Sequence, residues 1–298
     1  MKPIVRILGV IASLAAFAFV GRAIYRSLGS LQQQLASPSF LLTVAGSIFA
    51  YAMILQLCGL AWHRLLTAID DPPFGVGRAL AIYGKTQIYK YLPSNVLHMV
   101  GRYRLARSAG ASNKTLAFAQ IAELLTILLA AAGISALLAR AVLVHALEEH
   151  GIDDPTLVNV LVVGGTAVLA VGVTTIVRQR TAATGRKKAL VAAAVAFAFY
   201  TLFFIGSGLL LTALCKSLSP ASGAPELIGI AAAAWLVGFV VPGAPGGLGV
   251  RETILIAGLS AAGLPVAEAT AVALGYRFVT TVGDALTAMV IMLLEFKK

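Results

Sequence analysis

Val241-Pro242-Gly243-Ala244-Pro245-Gly246-Gly247-Leu248-Gly249 interrupts an apolar stretch that otherwise runs from 225 to 262. Proline removes a backbone donor and clashes with the preceding turn, and glycine weakens a helix interior, so no single straight helix fits this stretch. Lipid cannot satisfy the backbone groups such a break sets free, and the segment is stable only inside protein or beside a water-filled cavity. The same holds for Tyr91-Leu92-Pro93-Ser94-Asn95 within the apolar stretch 78–100. Both stretches are predicted to be re-entrant helical hairpins.

The composition around them fits a bilayer. Of 298 residues, 59% are hydrophobic and only 12% charged, and the mean hydropathy is +0.91; soluble chains carry about a quarter of their residues as charges. Apolar runs of the roughly 20 residues needed to cross hydrocarbon fall near 4–24, 40–63, 115–139, 156–177, 188–214 and 266–294. The run at the start lacks a small-x-small cleavage site and is read as the first span, not as a signal peptide. The expected fold class is therefore an all-α polytopic membrane protein, with about six transmembrane helices and two re-entrant hairpins in one membrane domain, 1–298.

A net charge of +11 raises the question of nucleic acid. The basic residues, however, sit in short connectors, where the positive-inside rule places them, and no nucleic-acid partner is expected. Arg102, Arg104, Arg107 and Lys114 in 101–114, and Arg178, Arg180, Arg186, Lys187 and Lys188 in 178–188, mark cytoplasmic connectors. The stretch 140–155, with Glu148, Glu149, Asp153 and Asp154, fits the outside. Both termini then fall in the cytoplasm of an inner-membrane protein. The first hairpin enters from the cytoplasm and the second from the periplasm. Arg22 and Arg26, after the first span, fit this arrangement poorly.

A shift of about half the chain superimposes the hydropathy pattern and brings Pro93 onto Pro242, Arg102 onto Arg251 and Tyr51 onto Tyr200. Each half, 1–149 and 150–298, reads span, span, hairpin, span. An odd number of crossings per half requires the halves to insert in opposite senses. Inverted repeats with broken helices at their interface are the architecture of secondary transporters, whose sites lie near the midplane.

Candidate site residues cluster at the two breaks. In the second, Pro242, Gly246, Gly247 and Gly249 allow close backbone approach at a helix N-terminus, which favours an anion, and Arg251 and Glu252 follow at once. In the first, Lys90, Tyr91, Pro93 and Asn95 stand at the break, with His98 and Arg102 one and two turns on. Each break also has a plainer reading as a chain turn or helix cap. Glu123, Arg277 and Asp284 fall within full spans, where charge is costly and must find a partner. Glu123 with Arg277 is the expected pair, structural or functional, and Asp284, on Arg277's helix face, extends it. Glu226, Glu268 and Lys216 are read as interfacial, and Trp62 and Trp235 as belt or packing residues. Cys58 and Cys215 have no metal or redox spacing and are read as packing; no cofactor or metal is expected. Gly164-Gly165 and the Gly206/Gly208 pair permit close helix contact, within the chain or in a homo-oligomer.

The segments YLPSNVLHMVGR (91–102) and PGGLGVRE (245–252) resemble the signatures of the lysylphosphatidylglycerol synthase transmembrane-domain family, and the resemblance extends over nearly the whole chain, including Glu123 and Tyr276-Arg277. Ser94 stands where the family often has glycine. Members with a fused synthase aminoacylate phosphatidylglycerol, and their membrane half is implicated in flipping the product. With no synthase domain in the sequence, the resemblance is to stand-alone members and implies translocation without enzymatic activity. The expected function is a flippase-like translocase for an anionic phospholipid or lipid-linked head group, held by the hairpin N-termini, Arg102 and Arg251. An accessory subunit of a lipid- or glycan-modifying enzyme is the second reading. A membrane-embedded lipid-phosphate enzyme is the third, and it lacks an evident nucleophile or metal cluster.

Overall fold

A computed structural model describes residues 36–91, 97–140, 155–180, 185–219, 224–241 and 245–296, together with Tyr25. The described residues form helices and connectors without a strand. Four helices are long and apolar enough to cross a membrane: α1 Pro38–Leu66, α4 Asn113–Leu138, α6 Arg186–Leu218 and α9 Val266–Phe296. At 1.5 Å per residue each exceeds the roughly 30 Å of hydrocarbon. The expected span 156–177 is α5, Pro155–Arg180; the expected span 4–24 lies outside the described residues. Large apolar side chains such as Leu42, Phe49 and Met53 point outward from α1, as a lipid-facing surface requires.

The two interrupted stretches are helical hairpins. The first has limbs α2, Val76–Gln87, and α3, Leu97–Ser108, with a short 3-10 turn at Ile88–Tyr91. The second has limbs α7, Ala224–Val240, and α8, Val250–Ala261, with a 3-10 turn at Pro245–Gly247. Limbs of 12 residues extend only about 18 Å and stop partway through a bilayer. One boundary needs correction. The connector expected at 101–114 is helical as far as Ser108, and Arg102 on it is 1% exposed while Arg104 and Arg107 face outward. The limb runs on past the apolar stretch because only one of its arginines faces the core.

Contacts between connectors locate the mouths. Asp70, after α1, accepts hydrogen bonds from Ser112 Oγ at 3.3 Å and Thr115 Oγ1 at 3.1 Å, so the chain enters and leaves the first hairpin at one end of the bundle. Ser112 also caps α4 by accepting the Thr115 N–H at 3.1 Å. Lys188 at the start of α6 pairs with Asp71, and Arg78 and Lys85 with Glu295 near the end of α9, at that same end. The second hairpin opens at the other end: Gly229 lies against the Ala139 backbone at the end of α4, and Ser39 Oγ bonds the Ser217 carbonyl.

α1 and α6 share the most extensive contact, where Tyr51 meets Phe203, and the aromatic chain continues through Phe204 to Trp235 and Phe239 of α7. Each hairpin's first limb packs on the last span of the opposite half, α2 on α9 and α7 on α4. Small residues permit the approach, with Gly84 of α2 facing Thr287 and Ile291 of α9, and Gly229 of α7 facing Leu138 and Ala139 at the end of α4. This packing drives the two tips together in the interior.

Candidate functional site

At the tips, glycine is a geometric requirement. Gly246 and Gly247 hold φ values of 59° and 74°, a region that side chains with a Cβ rarely adopt. A Cβ on Gly246 would stand 2.9 Å from the Tyr91 ring, and one on Gly247 would stand 2.7 Å from Arg251 Nε. The second tip therefore lies flat against the first, and the backbone of α8 starts beside the cavity that both tips enclose. Gly249, at φ 80°, caps α8.

Three ion pairs surround the junction. Arg102 Nη1 donates to both Glu123 oxygens at 2.5 and 2.6 Å, Tyr83 adds a hydrogen bond to Glu123 at 3.3 Å, and the guanidinium lies 4.0 Å from the Tyr83 ring centroid and 5.6 Å from that of Trp62. Arg277 Nε donates to Glu252 at 2.5 Å, and its Nη2 to the Gly246 carbonyl at 3.2 Å. Lys90 Nζ and Tyr91 OH both donate to Asp284 Oδ2, each at 2.6 Å. Asp284 is fully buried, and Glu123, Glu252 and Arg277 nearly so.

The expected Glu123–Arg277 pair is thus replaced by Arg102–Glu123 and Glu252–Arg277. Each hairpin's second limb is paired with the span that follows it, with cation and acid exchanged between the halves. Asp284 joins the network through the first tip, not through Arg277.

Arg251 differs from the others. Among the described residues it has no acidic partner; it stacks 5.7 Å from the Trp235 ring centroid, and its Nε is buried without a hydrogen bond. It lines a cavity of about 70 Å³ together with Lys90, His98, Arg102, Glu123 and Gly247. At about 10–15 Å³ of water-occupied volume per molecule, that space holds several waters. Gln87 Nε2 and His98 Nδ1, also in the wall, are buried without hydrogen-bond partners among the described residues. A smaller space on the other side of Arg251 is lined by Ser207, Tyr276, Arg277 and Thr280.

The expected site residues Lys90, His98, Arg102, Glu123, Gly246, Gly247 and Arg251 therefore meet in one cavity wall, with Tyr91, Glu252 and Arg277 directly behind it. Pro93, Asn95 and Pro242 lie outside the described residues. Trp62, Tyr83, Gln87 and Trp235 belong to the site although no motif contains them. Trp62 and Trp235 sit beneath arginines, beyond the belt or packing roles expected from sequence.

Apolar helices of crossing length around buried ion pairs and a polar cavity define a polytopic membrane protein with a charged interior. More particularly, residues 6–287 match the family described as the lysylphosphatidylglycerol synthase TM region, and the chain belongs to that family. A comparison with curated proteins finds no match.

Proposed function

We propose that the protein is a flippase-like translocase. It carries the anionic head group of a phospholipid or lipid-linked molecule across the inner membrane, through the cavity between the hairpin tips, without altering it chemically. The observation that carries this reading is Arg251, a cavity-lining cation with no acidic partner among the described residues. A buried charge at membrane depth is costly unless a counter-charge is supplied, and a ligand anion is the counter-charge that fits. The positive end of α8 beside Gly246 and Gly247 adds to the attraction. Sequence alone gave Arg102 an equal part; its two hydrogen bonds to the Glu123 carboxylate make it the lesser contact.

Two further features support the reading. The hairpins open at opposite ends of the bundle, and each first limb packs on the other half's last span, as an inverted repeat of 1–149 and 150–298 requires. The mouth that gathers Arg78, Lys85 and Lys188 is then cytoplasmic by the positive-inside rule, as are both termini.

The test is head-group movement in proteoliposomes of defined anionic lipid, comparing wild type with Arg251→Ala at equal incorporation. Loss of a hydrogen bond to a charged group costs about 1.5–3 kcal/mol, so the flipping rate is expected to fall about tenfold or more. Wild-type protein that moves no anionic lipid faster than protein-free vesicles overturns the proposal in favour of an accessory subunit.

A further inference from the structure

The charges in the site have a definite balance. Among the described residues, Lys90, Arg102, Arg251 and Arg277 face Glu123, Glu252 and Asp284, which leaves one positive charge, and the pairing assigns it to Arg251. His98, whose Nδ1 has no partner among the described residues, adds no charge to this count at pH 9, well above the ordinary imidazole range. Tyr51, Tyr83, Tyr91 and Tyr276 contribute neutral hydroxyls. Arg78, Lys85 and Glu295 form a separate group at the mouth.

Resting on the translocase reading, we infer that the cavity selects lipid head groups with a single negative charge, and that the Lys90–Asp284 pair withholds the second cation that a doubly charged phosphate requires. Among the described residues, Lys90 is the only other cation in the cavity wall whose partner stands behind the wall and not in it: Arg102 is tied to Glu123, which itself lines the cavity, whereas Asp284 is fully buried beneath the tip. A phosphodiester takes Arg251 and leaves every pair intact. A phosphomonoester with two charges must draw Lys90 away, which leaves the buried Asp284 carboxylate, whose Oδ1 has no partner among the described residues, with the Tyr91 hydroxyl but no counter-charge. The discrimination is therefore electrostatic and acts through the site's charge count, with no contact to the rest of the head group.

The test is calorimetric binding to the detergent-solubilised full chain at pH 9, using dihexanoyl phosphatidylglycerol, with one charge, and dihexanoyl phosphatidic acid, with two. Wild type is expected to favour phosphatidylglycerol at least tenfold. Asp284→Asn raises the surplus to two and is expected to shift the ratio at least tenfold toward phosphatidic acid. Adding Lys90→Gln to it restores the surplus of one and with it the original preference. Should Asp284→Asn fail to fold, Glu252→Gln changes the count by the same amount from a different pair and is expected to shift the ratio the same way. Equal binding of both lipids by wild type, or a ratio that charge-altering variants leave unmoved, overturns the inference. Phosphatidylglycerol binding that survives Arg251→Ala unchanged overturns the translocase reading beneath it; weakened binding in Arg251→Ala with an unmoved ratio overturns the charge selection alone.

Discussion

Glu123→Leu is expected to cost about 3–5 kcal/mol of stability, because removing one partner of a buried ion pair leaves the other charge uncompensated. Arg102 is 1% exposed, and among the described residues its Nε has no hydrogen-bond partner and no other carboxylate bonds it. Its stacking on Tyr83 and Trp62 cannot replace the lost counter-charge. Replacing both residues, Arg102→Met with Glu123→Leu, removes the buried charges together, and such replacements are often neutral or stabilising. The double variant is accordingly expected to recover most of the loss, with a strong coupling energy in a double-mutant cycle read from thermal melts in detergent. It also leaves the site's surplus charge unchanged, so it is expected to retain anion binding. A double variant that melts like the single one would show that the pair's surroundings, not its charges, set the stability.

The fold was legible where backbone chemistry decides it. Proline and glycine at 241–249 and 91–95 announced two breaks, and uninterrupted apolar runs announced α1, α4, α6 and α9. The site's membership was legible for a related reason, since polar residues beside a break inside a membrane must face protein or water. What was not legible was the pairing. Glu123 and Arg277 look like natural partners because both lie deep in full spans, yet each turns to the hairpin limb before it. A signal for this was present: Ser112 and Asn113 lie midway between Arg102 and Glu123, and Leu264 and Pro265 midway between Glu252 and Arg277. Residues equidistant from a connector face one another when the two helices fold back antiparallel. The Lys90–Asp284 contact and the arginine stacking on Trp62 and Trp235 had no such local signal, since they join segments brought together only by the packing of one half on the other.

Gly238→Ala is expected to separate function from folding. Gly238 lies inside α7, where alanine favours the helix by about 1 kcal/mol over glycine, so the substitution carries no backbone penalty. The added Cβ, however, falls on Arg251 Cγ and reaches toward its Nε. The guanidinium must swing away from Trp235 and from the cavity it lines. Transport is therefore expected to fall about as far as in Arg251→Ala, roughly tenfold, while the melting temperature stays near that of wild type. Gly247→Val pushes on the same Arg251 Nε but also forces a β-branched residue to φ 74°, at a cost of about 1–3 kcal/mol, and is expected to lose both stability and transport. If Gly238→Ala transports normally, the position of Arg251 is not what limits head-group passage, and the counter-charge for the anion must come from elsewhere in the wall. If it fails while remaining folded, a methyl group whose three nearest neighbours are all atoms of Arg251 has disabled the site through that side chain, which ties the activity to Arg251 more directly than removing that arginine does.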